Sequence, residues 1–377
     1  MYSILNDDCL NAMSAYADKH FHACVTDPPY GLNFMGKNWD HGVPNKIYWQ
    51  EVYRVLRPGG YILAFGGSRT YHRLAVAIED AGFEIRDTIM WVYGSGFPKG
   101  LNIGKATGLK QWEGWNTNLK PAHEPIIMAR KPLDGSVVEN VMKHGTGGIN
   151  IDECRVGDIG GTITMPSPNK TPRISTNFEV GNGGVKSIEG GRYPANLIHD
   201  GSEEVLKQFP EAGGGYGVSG SFKDTNLAQQ GHEYKLQETG QVVGYGDSGS
   251  AARFFYCAKA SPKDRNEGCE DMEPKEGAKQ FNEGMEGKVR SDGSVIKPAI
   301  KHGNSHPTVK PTSLMQYLCK LVTPKDGIIL DPFCGSGSTG KAAILEGFNF
   351  VGIEKEADYA AIASKRCEHA QNSHLNK

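Results

Sequence analysis

Short apolar strands alternate with amphipathic helical stretches at both ends of this chain, and a glycine-rich stretch separates the two ends. Strand–helix alternation covers both faces of a sheet with crossover helices, which predicts an α/β fold with a doubly wound, mostly parallel sheet. In the first flank Ser3–Leu5 and Phe21–Thr26 read as strands, followed by a helix over Lys46–Leu56 with Ile47, Val52, Val55 and Leu56 on one face. Arg57-Pro58-Gly59-Gly60 reads as its stop, Tyr61–Phe65 as a buried strand, Arg69–Ala81 as a helix ended by Gly82, and Ile85–Tyr93 and Pro125–Ala129 as further strands. The second flank repeats the pattern: helix Thr312–Leu321, strand Ile328–Leu330, helix Thr339–Glu346, strand Phe350–Ile353 and helix Ala357–Cys367.

Glycine accounts for 49 of 377 residues, nearly twice the usual ~7%, and it concentrates between Asp134 and Gly249. That stretch reads as long polar loops carrying short strands, and is expected to be mobile until a ligand orders it. The expected organisation is 1–133 and 301–377 as two halves of one sheet domain, with 134–300 inserted between them. Lys and Arg total 41 against 43 Asp and Glu, a balance that neither advertises nor excludes a nucleic-acid partner, because binding needs only a local patch. The eight cysteines form no Cys-x-x-Cys pair, so no zinc site is expected and reduced, buried thiols are. No apolar run reaches the ~20 residues of a membrane span, and the first residues lack the pattern of a signal peptide. The expectation is a cytoplasmic protein.

Three constellations carry chemistry. Asp331-Pro332-Phe333-Cys334-Gly335-Ser336-Gly337-Ser338-Thr339-Gly340-Lys341 follows a strand and opens a helix. Its glycines let the backbone approach a ligand, and Glu354, 19 residues past Gly335, can accept hydrogen bonds from ribose hydroxyls. It also approaches a P-loop, but Ala342 stands where the Mg²⁺-binding hydroxyl belongs. Asp27-Pro28-Pro29-Tyr30 follows another strand. Its prolines leave bare carbonyls, so Asp27 and the Pro28 carbonyl can each accept an N–H of an exocyclic amine while Tyr30 stacks on the ring. His306-Pro307-Thr308-Val309-Lys310-Pro311 precedes a helix start; alone it reads first as a helix cap and only second as a carboxylate site.

Together these motifs resemble the S-adenosylmethionine-dependent amino-methyltransferases of DNA, specifically the permuted β group. There the Asp-Pro-Pro-Tyr motif comes first, target recognition second and the Phe-x-Gly-x-Gly cofactor motif last, matching 27–30, about 134–300 and 333–337 here. Asn6-Asp7-Asp8-Cys9 looks like that group's Asn-Gly-Asp-Cys beside the cofactor's adenine, with Asp7 where Gly is usual. His306–Pro311 looks like the segment holding the methionine carboxylate, and His123-Glu124-Pro125 like a motif before a late strand. Gly191–Asn196 and Arg253–Lys259 look like phage and prophage members. The resemblance implies a circularly permuted, Rossmann-like seven-stranded methyltransferase sheet with an inserted target-recognition region. Its first two strands would be Ile328–Leu330 and Phe350–Ile353, with Ser3–Leu5 third and the strand ending at Asp27 fourth, beside the first.

The implied reaction is methyl transfer to adenine N6 in double-stranded DNA by base flipping and direct in-line attack, as in restriction–modification. The implied catalytic residues are Asp27, Pro28, Pro29 and Tyr30. The implied cofactor residues are Asp8, Thr308, Lys310, Asp331, Phe333, Gly335, Gly337 and Glu354, with no metal. Phe97 is a candidate pocket residue. Basic residues interleaved with aromatics nominate Arg192, Arg253, Lys259, Lys263 and Arg265 for DNA contact, with Lys288, Arg290, Lys297 and Lys301 as further candidates. Cytosine N4 is the near alternative, since both bases present an amine in the same geometry; a nicotinamide-dependent oxidoreductase is the remote one. A homodimer is left open.

Overall fold

The computed structural model describes residues 1–32, 40, 42–96, 100–157, 159–164, 185–212, 216–217, 243–244, 249–259, 261–273 and 303–375. Much of the glycine-rich stretch, together with Phe97, Lys288, Arg290, Lys297 and Lys301, lies outside them, as does the Lys263 side chain.

The chain divides into two compact units. The first comprises Met1–Cys154, Ala195–Val205 and Cys257–Lys377, and the second Arg155–Pro194 and Leu206–Tyr256. These boundaries differ from the single insertion expected over 134–300. The first unit holds strands β1 (Tyr2–Asn6), β2 (Phe21–Thr26), β3 (Leu56–Phe65), β4 (Glu84–Val92), β5 (His123–Arg130), β6 (Leu197–His199), β8 (Ile328–Asp331) and β9 (Asn349–Glu354). Strand β7 (Tyr256–Cys257) lies where the chain re-enters this unit. The sheet runs β1-β9-β8-β2-β3-β5-β4-β6-β7. Contacts from β1 through β3 are parallel, and β5 runs antiparallel to both its neighbours. The expected adjacency of the first four strands is present. Among the described residues the sheet has nine strands rather than seven because the outer edge of β4 is paired rather than left open: Met90 N donates to Asn196 O and Asp200 N to Val92 O.

Side-chain alternation gives the sheet two apolar faces. Helices α1 (Cys9–Ser14), α2 (Lys46–Val55) and α3 (Tyr71–Asp80) bury Met13, Trp49, Val52, Leu74 and Ile78 with Phe21, Ile62 and Ile353. The other face carries α5 (Thr312–Val322), α6 (Ser338–Leu345) and α7 (Ala357–Leu375), with Ile344, Cys367 and Ala370 packed together. Helix α4 (Val137–His144) falls where loops were expected. Ser136 caps it and Glu139 reaches back to the cap amide, so its four-residue capping box outweighs the surrounding glycines. The expected stop at Arg57–Gly60 is instead the start of β3. Pro58 donates nothing, but its carbonyl accepts from Asn140 and Thr146 and Gly59 N donates to Lys131 O, so the irregular strand leaves no orphan there.

The second unit pairs Ile159–Thr164 with Val185–Glu189, Tyr216–Gly217 with Val243–Gly244, and Glu211–Ala212 with Gly249–Ser250, all antiparallel. All eight cysteines are free thiols. Among the described residues no helix is long and apolar enough to cross a membrane, and no group of acidic, His and Cys side chains is arranged to hold a metal.

Candidate active site

Strands β1, β9, β8 and β2 point the same way, so Asn6, Glu354, Asp331 and Thr26 end on one edge of the sheet. The order turns around between β8 and β2, and open α/β sheets bind ligands at such a switch point. A cavity of about 1230 Å³ opens there, larger than the roughly 300–1,000 Å³ of a single-ligand pocket. Asp8, Phe333, Gly335 and Glu354 line it, as do Asp27, Pro28, Pro29, Tyr30, Thr308 and Lys310.

Around Asp27 four polar groups meet. Lys310 Nζ lies 2.9 Å from Asp27 Oδ2 and 2.9 Å from Glu124 Oε2. The Tyr30 hydroxyl is 2.8 Å from Asp27 Oδ1 and 2.9 Å from Glu124 Oε2, and Lys310 Nζ donates to its oxygen at 3.1 Å. The Lys310 side chain is only 7% exposed, against 24% for Asp27 and 20% for Glu124. Burial alone would strip its proton, but the two carboxylates outweigh it and hold the ammonium well above its ordinary pKa. Burial and the same carboxylates push the Tyr30 phenol up, so Tyr30 remains a neutral donor. The backbone after Tyr30 is fixed by Asp40, which is buried and accepts from Gly31 N at 2.7 Å and Leu32 N at 3.2 Å. Thr70 Oγ1 donates to the Tyr30 carbonyl at 2.7 Å.

The glycine-rich turn is built differently. Gly335 and Gly337 have φ of +54° and +74°, and a Cβ on Gly335 would stand 3.0 Å from His306 Nε2. Glu354 accepts from Gly335 N at 2.7 Å and Glu356 N at 2.8 Å, and burial raises its pKa. Each of its oxygens keeps a lone pair for a ligand hydroxyl. Asp8 caps α1 through Leu10 N at 3.0 Å, with Lys355 Nζ 3.3 Å from its other oxygen. Phe333 packs near Tyr48 and Trp49. Asp331, although it borders the cavity, is 1% exposed and accepts from Thr26 and Thr339 hydroxyls at 2.6 Å each and from Phe333 N at 3.1 Å. Burial pushes its carboxyl up to about 7. Its geometry is that of a brace between β2, β8 and α6 more than of a ligand contact. Lys341 is turned onto Glu267 at 2.7 Å, which removes the P-loop comparison.

Arg366, which no sequence signal singles out, and His306, from the third motif, brace this turn. Arg366 is fully buried, and its NH1 donates to Ser336 O at 2.6 Å and to the hydroxyls of Ser336 and Ser338 at 3.0 and 3.2 Å. Its NH2 donates to Asp264 O at 2.8 Å. His306 is buried, its Nδ1 bonds the Thr308 carbonyl, and its ring meets Tyr359 edge-on. Burial lowers its pKa to about 4, so the imidazole is neutral.

The donor set suits a ligand with a cationic centre, ribose hydroxyls and an aromatic base: carboxylates at Asp8, Asp27, Glu124 and Glu354, and apolar walls at Phe333, Met315 and Ile353. The family model described as DNA methylase matches residues 21–180 and 218–365. The chain belongs to that DNA methylase family. It is 41% identical over 88 residues to the type II methyltransferase M2.LlaDCHI of Lactococcus lactis, covering 23% of this chain and 33% of that one. It is 24% identical over 200 residues to M.HindIII of Haemophilus influenzae, covering 39% and 64%. The chain thus spans about a third of the first relative's length and less than two thirds of the other's. The crystal structure of M1.HpyAVI aligns over 97% of this chain and 98% of that one at 15% identity, with a TM-score of 0.43.

The five residues nominated for DNA contact have different surroundings. Arg265 donates to the carbonyls of His306 and Pro307 at 2.7 and 3.3 Å. In the second unit Arg253 donates to the carbonyls of Gly249, Ser250 and Ala212, and both Arg192 and Arg253 stack on Phe254 at 4.5 Å. The Arg253 and Arg265 guanidiniums hold backbone in place, which argues for a bracing role over a phosphate contact. Lys259 is exposed.

Proposed function

We propose that this chain is a permuted β-group methyltransferase that moves a methyl group from S-adenosylmethionine to adenine N6 in double-stranded DNA. The observation that carries the reading is that Asp27, at the end of β2, shares one cavity with Phe333–Ser336 and Glu354, at the ends of β8 and β9. The cavity's size supports two occupants, a cofactor and a base taken out of the duplex. Asp27 at the first motif position favours adenine, since Ser is more typical of cytosine enzymes.

S-adenosylmethionine supplies, when bound, an electrophilic methyl on a sulfonium. Asp27 and the Pro28 carbonyl accept the amine's N–H bonds and aim its lone pair, while Tyr30, anchored through its hydroxyl, presents a ring face to the base. Asp27 receives the proton the amine must lose. Lys310 keeps Asp27 oriented until then. Glu354 holds Gly335 N and accepts ribose hydroxyls, and Phe333 and Asp8 border the same end. Lys259 and Lys263 are the phosphate contacts of this reading. The purified chain, given labelled cofactor and duplex DNA, should yield N6-methyladenine on nucleoside analysis. N4-methylcytosine would move the target to cytosine, and no labelled nucleoside would overturn the reading.

A further inference from the structure

Tyr30 has one hydroxyl hydrogen and two carboxylates within reach, Asp27 Oδ1 at 2.8 Å and Glu124 Oε2 at 2.9 Å. It can donate to only one of them at a time. Lys310, with three hydrogens, reaches Asp27, Glu124 and the Tyr30 oxygen together. Two carboxylates and one ammonium leave the cluster one negative charge in excess, in surroundings where most of the water is excluded. These groups come from the end of β2, from β5 and from the segment before α5, so the fold spends three separate elements on assembling them. Binding a base at Asp27 needs only the first carboxylate; the second has no part in the mechanism above.

We propose that Glu124 is the terminal acceptor of a proton relay that runs from Asp27 through the Tyr30 hydroxyl. The inference rests on the amino-methyltransferase reading. As the amine's lone pair forms the N–C bond, the C–S bond breaks and its electrons stay on sulfur. The nitrogen then holds one proton too many. That proton passes to Asp27; Asp27 gives a proton to the Tyr30 oxygen as Tyr30 gives its own to Glu124. Atoms and charge balance, Tyr30 ends neutral, and Asp27 is an acceptor again. Lys310 sits equally far from both carboxylates, so it stabilises the ionised form of whichever lacks the proton. Glu124 acts through Tyr30 and so positions charge without touching the base.

The groups facing Glu124 and Asp27 are Tyr30, Lys310, Tyr93, His306 and Asp331. The test is the single-turnover methyl-transfer rate across pH for the parent chain, Glu124→Gln, Glu124→Asp and Tyr30→Phe, with S-adenosylhomocysteine and duplex binding followed by calorimetry. Expected are a 10-fold or greater loss in Glu124→Gln with both affinities unchanged, and partial recovery in Glu124→Asp. Tyr30→Phe keeps the ring and removes the bridge. It should fall as far, and the double variant no further. A parent-like rate in Glu124→Gln or in Tyr30→Phe overturns the relay, as does a loss that follows weakened binding. A parent chain that methylates no DNA overturns the underlying reading instead, and the relay with it.

Discussion

Around Asp27 the polar side chains bond to one another, whereas around Gly335 they bond to the backbone. Lys310, Glu124, Tyr30 and Asp27 share their hydrogen bonds among themselves. Arg366, Glu354 and Asp331 donate to or accept from Ser336 O, Gly335 N and Phe333 N. Charges held by other charges can shift protons and partners at small structural cost. Polar groups committed to main chain fix a shape, and losing them unmakes it. The first end should therefore fail in rate, and the second in binding and stability.

The largest effect belongs to the first end. Asp27→Ala should lower methyl transfer by roughly 10²–10⁴-fold or more, while calorimetry with S-adenosylhomocysteine gives parent-like affinity. Lost affinity would mean the two ends are not separable. At the second end Asp331→Asn reads out through pH. The Asp331 carboxyl is raised to about 7, so its contribution is complete below the unfolded value near 3.8 and is lost as pH rises through 7. His306, lowered to about 4, acts oppositely: its contribution is present above about 6.5 and is lost toward pH 4. In the parent chain the two oppose each other. Asp331→Asn should therefore lose stability on acidification from pH 7 to 4 more steeply than the parent, by up to about 4 kcal/mol, as read from urea midpoints. An unchanged slope would mean that Asp331 is not buried in its charged form at neutral pH.

Arg366→Met should cost about 2–4 kcal/mol in denaturant unfolding, because the Ser336 and Asp264 carbonyls lose their donors. Intact stability would show that water replaces the guanidinium. The smallest effect is Glu354→Ala, about 1.5–3 kcal/mol in affinity for S-adenosylhomocysteine, with little change in the rate at saturation. A rate loss at saturating cofactor would couple the two ends.

The two turns at 27–30 and 333–337 were legible because each combines a local backbone signal with a strand end, whereas the strand order from β1 to β2 followed only from the family resemblance. Glu124 was visible only as part of a matching tripeptide, since nothing local says that β5 delivers it to Lys310, 186 residues away in sequence. Arg366 lies in a helix of alternating polar and small residues and reads as solvated; its burial depends on carbonyls from Ser336 and Asp264. Arg253 and Arg265 read as phosphate contacts because composition records a charge and not its acceptor. Pro58-Gly59-Gly60 reads as a stop, yet partners from Asn140, Thr146 and Lys131 let it run on as strand. Such partners are tertiary and have no sequence signature.

Strand β1 lies in register with β9, Tyr2 opposite Phe350 and Asn6 opposite Glu354. On the ribosome, β1 must wait for a strand made about 350 residues later. At roughly 5–20 residues per second, β1 stays without its neighbour for on the order of 20–70 s. The turn at Gly335 and the carboxylate of Glu354 are made about 300 residues after Asp27. The nascent chain thus carries a half-made sheet with an open edge, and it gains its cavity in one late step.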